Sequence, residues 1–391
     1  MSTSAPAPRT GPTAGGVPVT LVAGCHEEDV SAVARAVLGP WCDHLHSGAL
    51  ELVDEHEHEH GVGGARGPRR PVPRGVDPRR RARVDAHLVA DAVVDHAVSL
   101  LDAHRRRGVV VEVPVTANAR TVAMLTGSLL EDAGRDSGPT GAVGDDGGGP
   151  GARLRHVVSV VRAAELVDLV TGRRDESFLE AERVVDLVEH ATVVVLTGLA
   201  ELPDGDRDLV VELVHRLAPS TLVLDAGVVL SGASLPPDGD AARLGSAAGW
   251  MRELSGTGAL PLVGAGVQAV VFRDPRPFST ERLARVVDED LVPDRVGQVL
   301  RSKGFVHLST RPDRIGGWSS VGSLLSLDPS VLTAFEEDAP LGQELVFFGV
   351  DLDAAELTRV LASCLLGPDE LLAGPEAWRR GADPFPRWPG E

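Results

Sequence analysis

Six short apolar runs dominate residues 17–224 and constrain the fold more than any other feature: Val17–Ala23, Leu50–Val53, Val109–Val115, His156–Val161, Thr192–Leu196 and Thr221–Leu224. Most are near-continuous Val and Leu. Side chains alternate across a strand, so an apolar residue at every position means burial on both faces. That is how strands of a parallel sheet read. Helical periodicity lies between several of them, over 28–38, 84–106, 119–131, 178–190 and 207–217. Strand–helix alternation on this scale predicts a doubly wound α/β domain.

Soft stretches set the expected boundaries. Residues 1–16 are Pro, Ala, Thr and Ser and read as a disordered tail. Residues 54–83 run through EHEHEH into an Arg/Pro/Gly segment ending PRRRAR, and residues 132–151 are Gly, Asp and Ser. Both are too poor in apolar residues to fold alone and read as exposed loops. The Gly/Pro/Asp stretch Ser234–Ala248 marks a domain boundary. The expected layout is a first domain over 17–233, a linker region over 234–267 and a second domain over 268–391. Seven of the eight Phe and four of the five Trp lie after residue 248, so the second core differs in kind. Its strand-like runs (Gln268–Arg273, Gly304–Leu308, Glu344–Phe348) alternate with helical ones (Ser279–Asp288, Asp353–Ser363), which predicts a smaller α+β domain.

Charge narrows the function classes. The 391 residues carry 38 Lys+Arg against 57 Asp+Glu, a formal charge of −19, and a single Lys, Lys303. Direct grip on nucleic acid needs clustered cations, and this balance argues against it. It suits a protein that meets basic or metal partners. The runs Arg79–Arg81 and Arg105–Arg107 read as solvated faces. Three cysteines (Cys25, Cys42, Cys364) cannot build a disulfide framework and fit a reducing compartment. With no signal-peptide core and no apolar run of ~18–20 residues, a cytoplasmic protein is expected.

The first βα turn reads Gly24-Cys25-His26-Glu27-Glu28-Asp29-Val30-Ser31. A triphosphate-binding turn would read GxxxxGK[ST], with backbone amides cradling the phosphates, Lys neutralising them and the hydroxyl holding Mg²⁺. Gly24 and Ser31 keep that spacing, but Asp29 stands for the second Gly and Val30 for the Lys. A phosphate there meets three carboxylates and no cation. Glu112 ends the third strand, where a carboxylate either holds Mg²⁺, orients water or is simply a strand-end residue. The fifth strand runs into Thr197-Gly198-Leu199-Ala200, without the Asn-Lys-x-Asp of a guanine site. Gly24, Ser31 and Glu112 are therefore the residues of a degenerate nucleotide site.

Histidines are the other candidates. His56, His58 and His60 alternate with Glu57 and Glu59; in an extended chain they face one way and offer imidazoles to zinc. Cys42, His44 and His46 repeat the same spacing just upstream. A solvated polar loop with weak, exchangeable metal affinity is the competing reading, since no CxxC pair is present. His56–His60 also matches HExxH formally. That motif needs a stable helix, and a polar repeat running into Gly and Pro supplies none, so a zinc protease is not expected. No nucleophile–base–acid set is visible.

The carboxy-terminal pieces Arg276-Pro277-Phe278, Val299–Phe305 (VLRSKGF), Thr310-Arg311-Pro312-Asp313, Gln343–Phe347 (QELVF) and Asp383–Trp388 (DPFPRW) resemble, in order, the C-terminal domain of the CobW family. That family belongs to the metallochaperone-type P-loop GTPases, many tied to zinc, cobalt or nickel. The resemblance implies a P-loop-NTPase-like doubly wound sheet followed by a CobW C-terminal domain. The departures fall on functional residues: no phosphate-loop Lys, no Asn-Lys-x-Asp and no CxCC metal motif. They imply a GTPase-derived chain that is catalytically weak or inactive and does not bind GTP in the usual manner. The altered phosphate loop is similar to actinobacterial CobW-like proteins that recruit a ribosome hibernation factor when zinc is scarce. This implies an adaptor whose partners are the hibernation-promoting factor and the small ribosomal subunit. Two alternatives stand beside it: a GTP-dependent zinc metallochaperone, and a zinc buffer using the His loop. Arg301 and Lys303, with Arg311, Arg314 and Trp318 after them, read as a docking patch for such a partner. The other reading pairs them with local carboxylates such as Asp294 or Asp313 and places Trp318 in the core.

Overall fold

The computed structural model describes residues 16–39, 42–48, 50, 85–103, 107–136, 151–174, 176–236, 248–258, 266–336 and 339–388. Residues 1–15 of the expected tail, all of the first expected loop (54–83) with His56, His58 and His60, residues 137–150 of the second and part of the linker lie outside the described residues, whereas 132–136, expected as loop, continue the helix that starts at Ala119. In chain order the first elements are β1 (Val17–Gly24), α1 (Glu27–Val37), β2 (Cys42–Leu45), α2 (Ala86–Asp102), β3 (Gly108–Glu112), α3 (Ala119–Asp136) and β4 (Ala152–Arg162). Then come α4 (Ala163–Thr171), α5 (Phe178–Glu189), β5 (Val193–Thr197), α6 (Asp204–Leu217) and β6 (Leu222–Asp225). The six strands form one sheet in the order β2-β3-β1-β4-β5-β6. Its β2–β3, β3–β1 and β1–β4 pairings are parallel. β1 is flanked by β3 and β4, so the chain leaves it first toward one edge and then toward the other. The carboxyl ends of strands at such a switch are where ligands sit in open α/β sheets.

The second sheet is antiparallel, in the order β10-β9-β8-β11-β7. Its strands are β7 (Val267–Asp274), β8 (Gln298–His307), β9 (Arg314–Val321), β10 (Leu324–Thr333) and β11 (Gln343–Val350). The helices α7 (Thr280–Glu289) and α8 (Ala354–Ser363) accompany it. The expected α/β sheet followed by an α+β domain is thus the observed architecture.

By contacts the chain forms two compact units. One holds the residues up to Val160 with 191–197 and 224–244; the other holds 161–190, 198–223 and 245–391. The helices α4, α5 and α6 therefore group with the antiparallel sheet. In the first unit Val22, Val30, Val33, Val110, Val158 and Val195 form an aliphatic core. In the second, Phe272, Phe278, Trp318, Phe347 and Trp388 share one core with Leu283 and Leu357, which accounts for the late-placed aromatics.

Local expectations fail where burial is one-sided or complete. The second strand is Cys42–Leu45, not Leu50–Val53: Leu50 is buried but helical, and 51–53 lie outside the described residues. Asp43 and His44 interrupt the apolar pattern of this edge strand. Helix α4 follows β4 without a break; five of its nine residues are buried, and with only nine residues and no turn signal before it the period is too short to stand apart from the apolar strand. β9 and β10 are Gly-, Ser- and Asp-rich, and Pro329 sits in β10, an edge strand, where a missing ladder N–H is tolerated.

The docking patch is overturned. Lys303 lies in the middle of β8, and Trp318 is 2% exposed. The Arg301 side chain is 0% exposed; its Nε donates to Glu189 Oε1 at 2.8 Å, its Nη2 to Glu182 Oε1 at 3.1 Å and its Nη1 to Ser319 Oγ at 2.8 Å. Lys303 Nζ donates to Glu189 Oε2 at 2.7 Å. Arg311 is buried, with its Nε 2.9 Å from Asp383 Oδ2 and its guanidinium stacked over Trp388 at 4.3 Å. Local pairing was the right kind of alternative with the wrong partners: Asp313 pairs with Arg379, and the cations of β8 pair with helix α5. No described helix is long and apolar enough to cross a membrane.

Candidate functional site

The phosphate turn is rebuilt, not merely mutated. α1 starts at Glu27, with Cys25 and His26 alone separating it from the end of β1 at Gly24, and His26 is its N-cap. The Val30 amide is already spent on His26 O at 3.1 Å. A triphosphate loop keeps its amides free to wrap around phosphate and begins its helix near the Lys. Here the helix consumes that stretch and presents Glu27, Glu28 and Asp29 in its first turn. Val30, at the Lys position, is 2% exposed and packs in the aliphatic core. Gly24 is required by that packing: a Cβ there would lie 2.8 Å from Val160 O and 2.8 Å from Val30 Cγ2.

The expected nucleotide residue Glu112 and the expected metal residues His44 and His46 meet in one place. β2 and β3 pair with His44 opposite Val110, so the register carries His46 toward the level of Glu112. Alternate residues of β2 share a face, which sends His44 toward α1. Asp43 goes the other way, to Arg107 at 3.3 Å and His96 at 3.6 Å. From α1, Ser31 Oγ donates to Glu112 Oε2 at 2.9 Å. The other oxygen, Oε1, lies 2.8 Å from His44 Nε2 and 3.3 Å from His46 Nδ1. The imidazoles are 3.8 Å apart by ring centroid.

Exposure grades across the site: Glu112 is 2% exposed, the His44 side chain 11% and the His46 side chain 63%. Burial, reinforced by the neighbouring His46, pulls the His44 pKa below its ordinary value, so the ring is neutral at neutral pH and offers a lone pair. Cys42 shares the histidines' face but stays in the aliphatic cluster and takes no part in the group. One other potential metal-binding group stands out among the described residues, Asp186, Glu189 and His190. Both Glu189 oxygens already serve Arg301 and Lys303, which makes it an ion-pair centre.

Fold and site together define a parallel α/β domain with a closed phosphate turn, followed by an antiparallel-sheet domain. Within the latter, residues 267–365 match the family described as "Cobalamin synthesis protein cobW C-terminal domain". Over 244 residues the chain is 27% identical to zinc-regulated GTPase metalloprotein activator 1 of Dictyostelium discoideum, across 56% of this chain and 48% of that protein. The chain spans about half the length of that curated relative. Among solved structures, the Zn(II)-bound YjiA GTPase of E. coli aligns over 90% of this chain and 99% of its own, at 14% identity and a TM-score of 0.27. A Zn(II)-bound triple mutant of YjiA aligns over the same shares at 14% identity and a TM-score of 0.32.

Proposed function

We propose that this chain is a zinc-linked relative of the CobW-type GTPases that has given up ordinary triphosphate binding and works as a metal-responsive binding protein. The observation that carries the reading is Val30, turned into the core where a phosphate-binding Lys would stand. The likeness to zinc-regulated GTPase metalloprotein activator 1 supports the metal side of it. Titration calorimetry with GTP and Mg²⁺ tests it. No heat of binding at micromolar protein is the expected result. A micromolar Kd favours the alternative, a GTP-dependent zinc metallochaperone.

A binding protein needs something to bind. The adaptor reading, with a hibernation-promoting factor and the small ribosomal subunit as partners, draws on the formal charge of −19, which suits a basic partner. Pull-down of ribosomes from zinc-starved cells tests it; absence of this chain from the recovered ribosomes rejects it. The zinc-buffer reading rests on His56, His58 and His60 and is tested by the loop variant described next.

A further inference from the structure

We infer that His44, His46 and Glu112 form an open, exchangeable zinc site, and that Ser31 positions Glu112 for it. The inference rests on the reading that no nucleotide occupies the phosphate turn.

Three observations converge. The donor set is right: two imidazoles and a carboxylate are the ligands of open zinc sites, in which the fourth position stays available to water or an incoming ligand. The spacing matches for one of the two pairs and is about half an ångström short for the other. A tetrahedral zinc ion with bonds of about 2.0–2.1 Å has donor–donor edges of about 3.3–3.4 Å. Glu112 Oε1 lies 3.3 Å from His46 Nδ1 and, closer, 2.8 Å from His44 Nε2. Most telling, Glu112 Oε1 and His44 Nε2 are buried and have no aligned hydrogen-bond partner despite their proximity. Buried polar atoms are normally satisfied, and leaving one unpaired costs about 1–3 kcal/mol. A cation held between these two atoms would satisfy both.

The second oxygen of Glu112 is not part of that deficit. Ser31 Oγ donates to it, leaving Oε1 turned toward the histidines. Groups that hydrogen-bond a metal ligand fix its orientation, and their loss typically costs 10–100-fold in metal affinity. In a triphosphate turn the equivalent hydroxyl would hold Mg²⁺; here it is committed to a carboxylate. His46 leaves the site open to solvent on its side, which fits a metal that exchanges more than one that is buried for structure. Imidazole and carboxylate donors also take Co²⁺ and Ni²⁺, which supplies a spectroscopic probe.

The test uses the full chain carrying His56→Ala, His58→Ala and His60→Ala, so that the polar loop does not compete. Zn²⁺ is titrated against a chromogenic chelator, and Co²⁺ is followed by the visible bands of four-coordinate cobalt. One site per chain is expected. Glu112→Gln and His44→Ala should abolish it. His46→Ala, at an exposed position that leaves folding intact, should weaken it at least tenfold and alter the cobalt spectrum. Ser31→Ala should weaken it 10–100-fold, with Ser31→Thr restoring it. Undiminished zinc affinity in His46→Ala and Glu112→Gln, or loss of all binding in the loop variant itself, overturns the inference. GTP titration of the same samples keeps the two readings separate. GTP binding beside an intact zinc site sinks only the nucleotide reading; neither ligand binding sinks only this one.

Discussion

Arg301 and Glu189, 112 positions apart in sequence, meet at 2.8 Å with both side chains 1% exposed or less. Each guanidinium edge is used: Glu189 takes Nε, while Glu182 takes Nη1 and Nη2. Lys303 closes the group from the next same-face position of β8. Two carboxylates from α5 and two cations from β8 thereby neutralise one another inside the second unit. Arg301→Ala leaves Glu189 with one cation in a buried place. Removing one partner of such a pair costs about 3–5 kcal/mol. Urea unfolding followed by tryptophan fluorescence checks this, and a loss under 1 kcal/mol would falsify it. Lys303→Ala, at a more exposed position, should cost less.

The same group sets an acid limit. Burial by itself pushes the Glu189 carboxyl up, but the Arg301 and Lys303 charges hold it well below the usual carboxylate range. Its contribution is therefore complete above the unfolded-chain value of about 4.3 and drains away as pH falls below that. Stability measured between pH 7 and pH 3 should drop through the lower part of this range. Glu189→Gln should be less stable at pH 7 and show a shallower slope below about 4.3. An unchanged slope in a folded variant would remove Glu189 from the explanation.

Val30→Lys restores the Lys of the phosphate motif while Asp29 still stands at the second Gly, and it should not create a GTP site. The side chain at 30 enters the aliphatic core, and burying an ammonium there without a partner costs several kcal/mol. Thermal melting should show a fall of several degrees, and calorimetry no GTP binding. A stable Val30→Lys protein that binds GTP would mean that the turn can reopen.

Thiol chemistry should be graded. Burial pushes the Cys364 thiol up to about 11. Little thiolate then forms at pH 8, and access is blocked as well. Cys25 and Cys42 are half-buried. With a chromogenic disulfide reagent, two of the three thiols should react in the native state and the third only on unfolding. Fast reaction of Cys364 would show that this core opens readily.

Much of the fold was readable locally. Runs such as Val109–Val115 and Val193–Leu196 bury both faces, and the helices at 28–38 and 178–190 keep a polar side, so period alone identifies them. The missing Lys at Val30 was equally plain, because a motif is a matter of spacing. Four of the five pieces read after Arg276 fall within the stretch 267–365 that matches the cobW C-terminal domain; Asp383–Trp388 lies beyond it. Strand β2, helix α4 and the strands β9 and β10 were not readable, since an edge strand, a nine-residue helix fused to the strand before it and a Gly/Ser-containing strand pair have weak periods of their own. The site lay beyond the sequence for a different reason. Glu112 and the pair His44–His46 had been assigned to different chemistries, and only the β2–β3 register brings them together. Likewise Lys303 and Arg301 looked like a surface patch, because nothing local announces Glu182 and Glu189 more than a hundred residues earlier. Periodicity is a property of neighbours in the chain; the closing of a carboxylate on an imidazole or a guanidinium is decided by which elements pack, and that is settled in three dimensions.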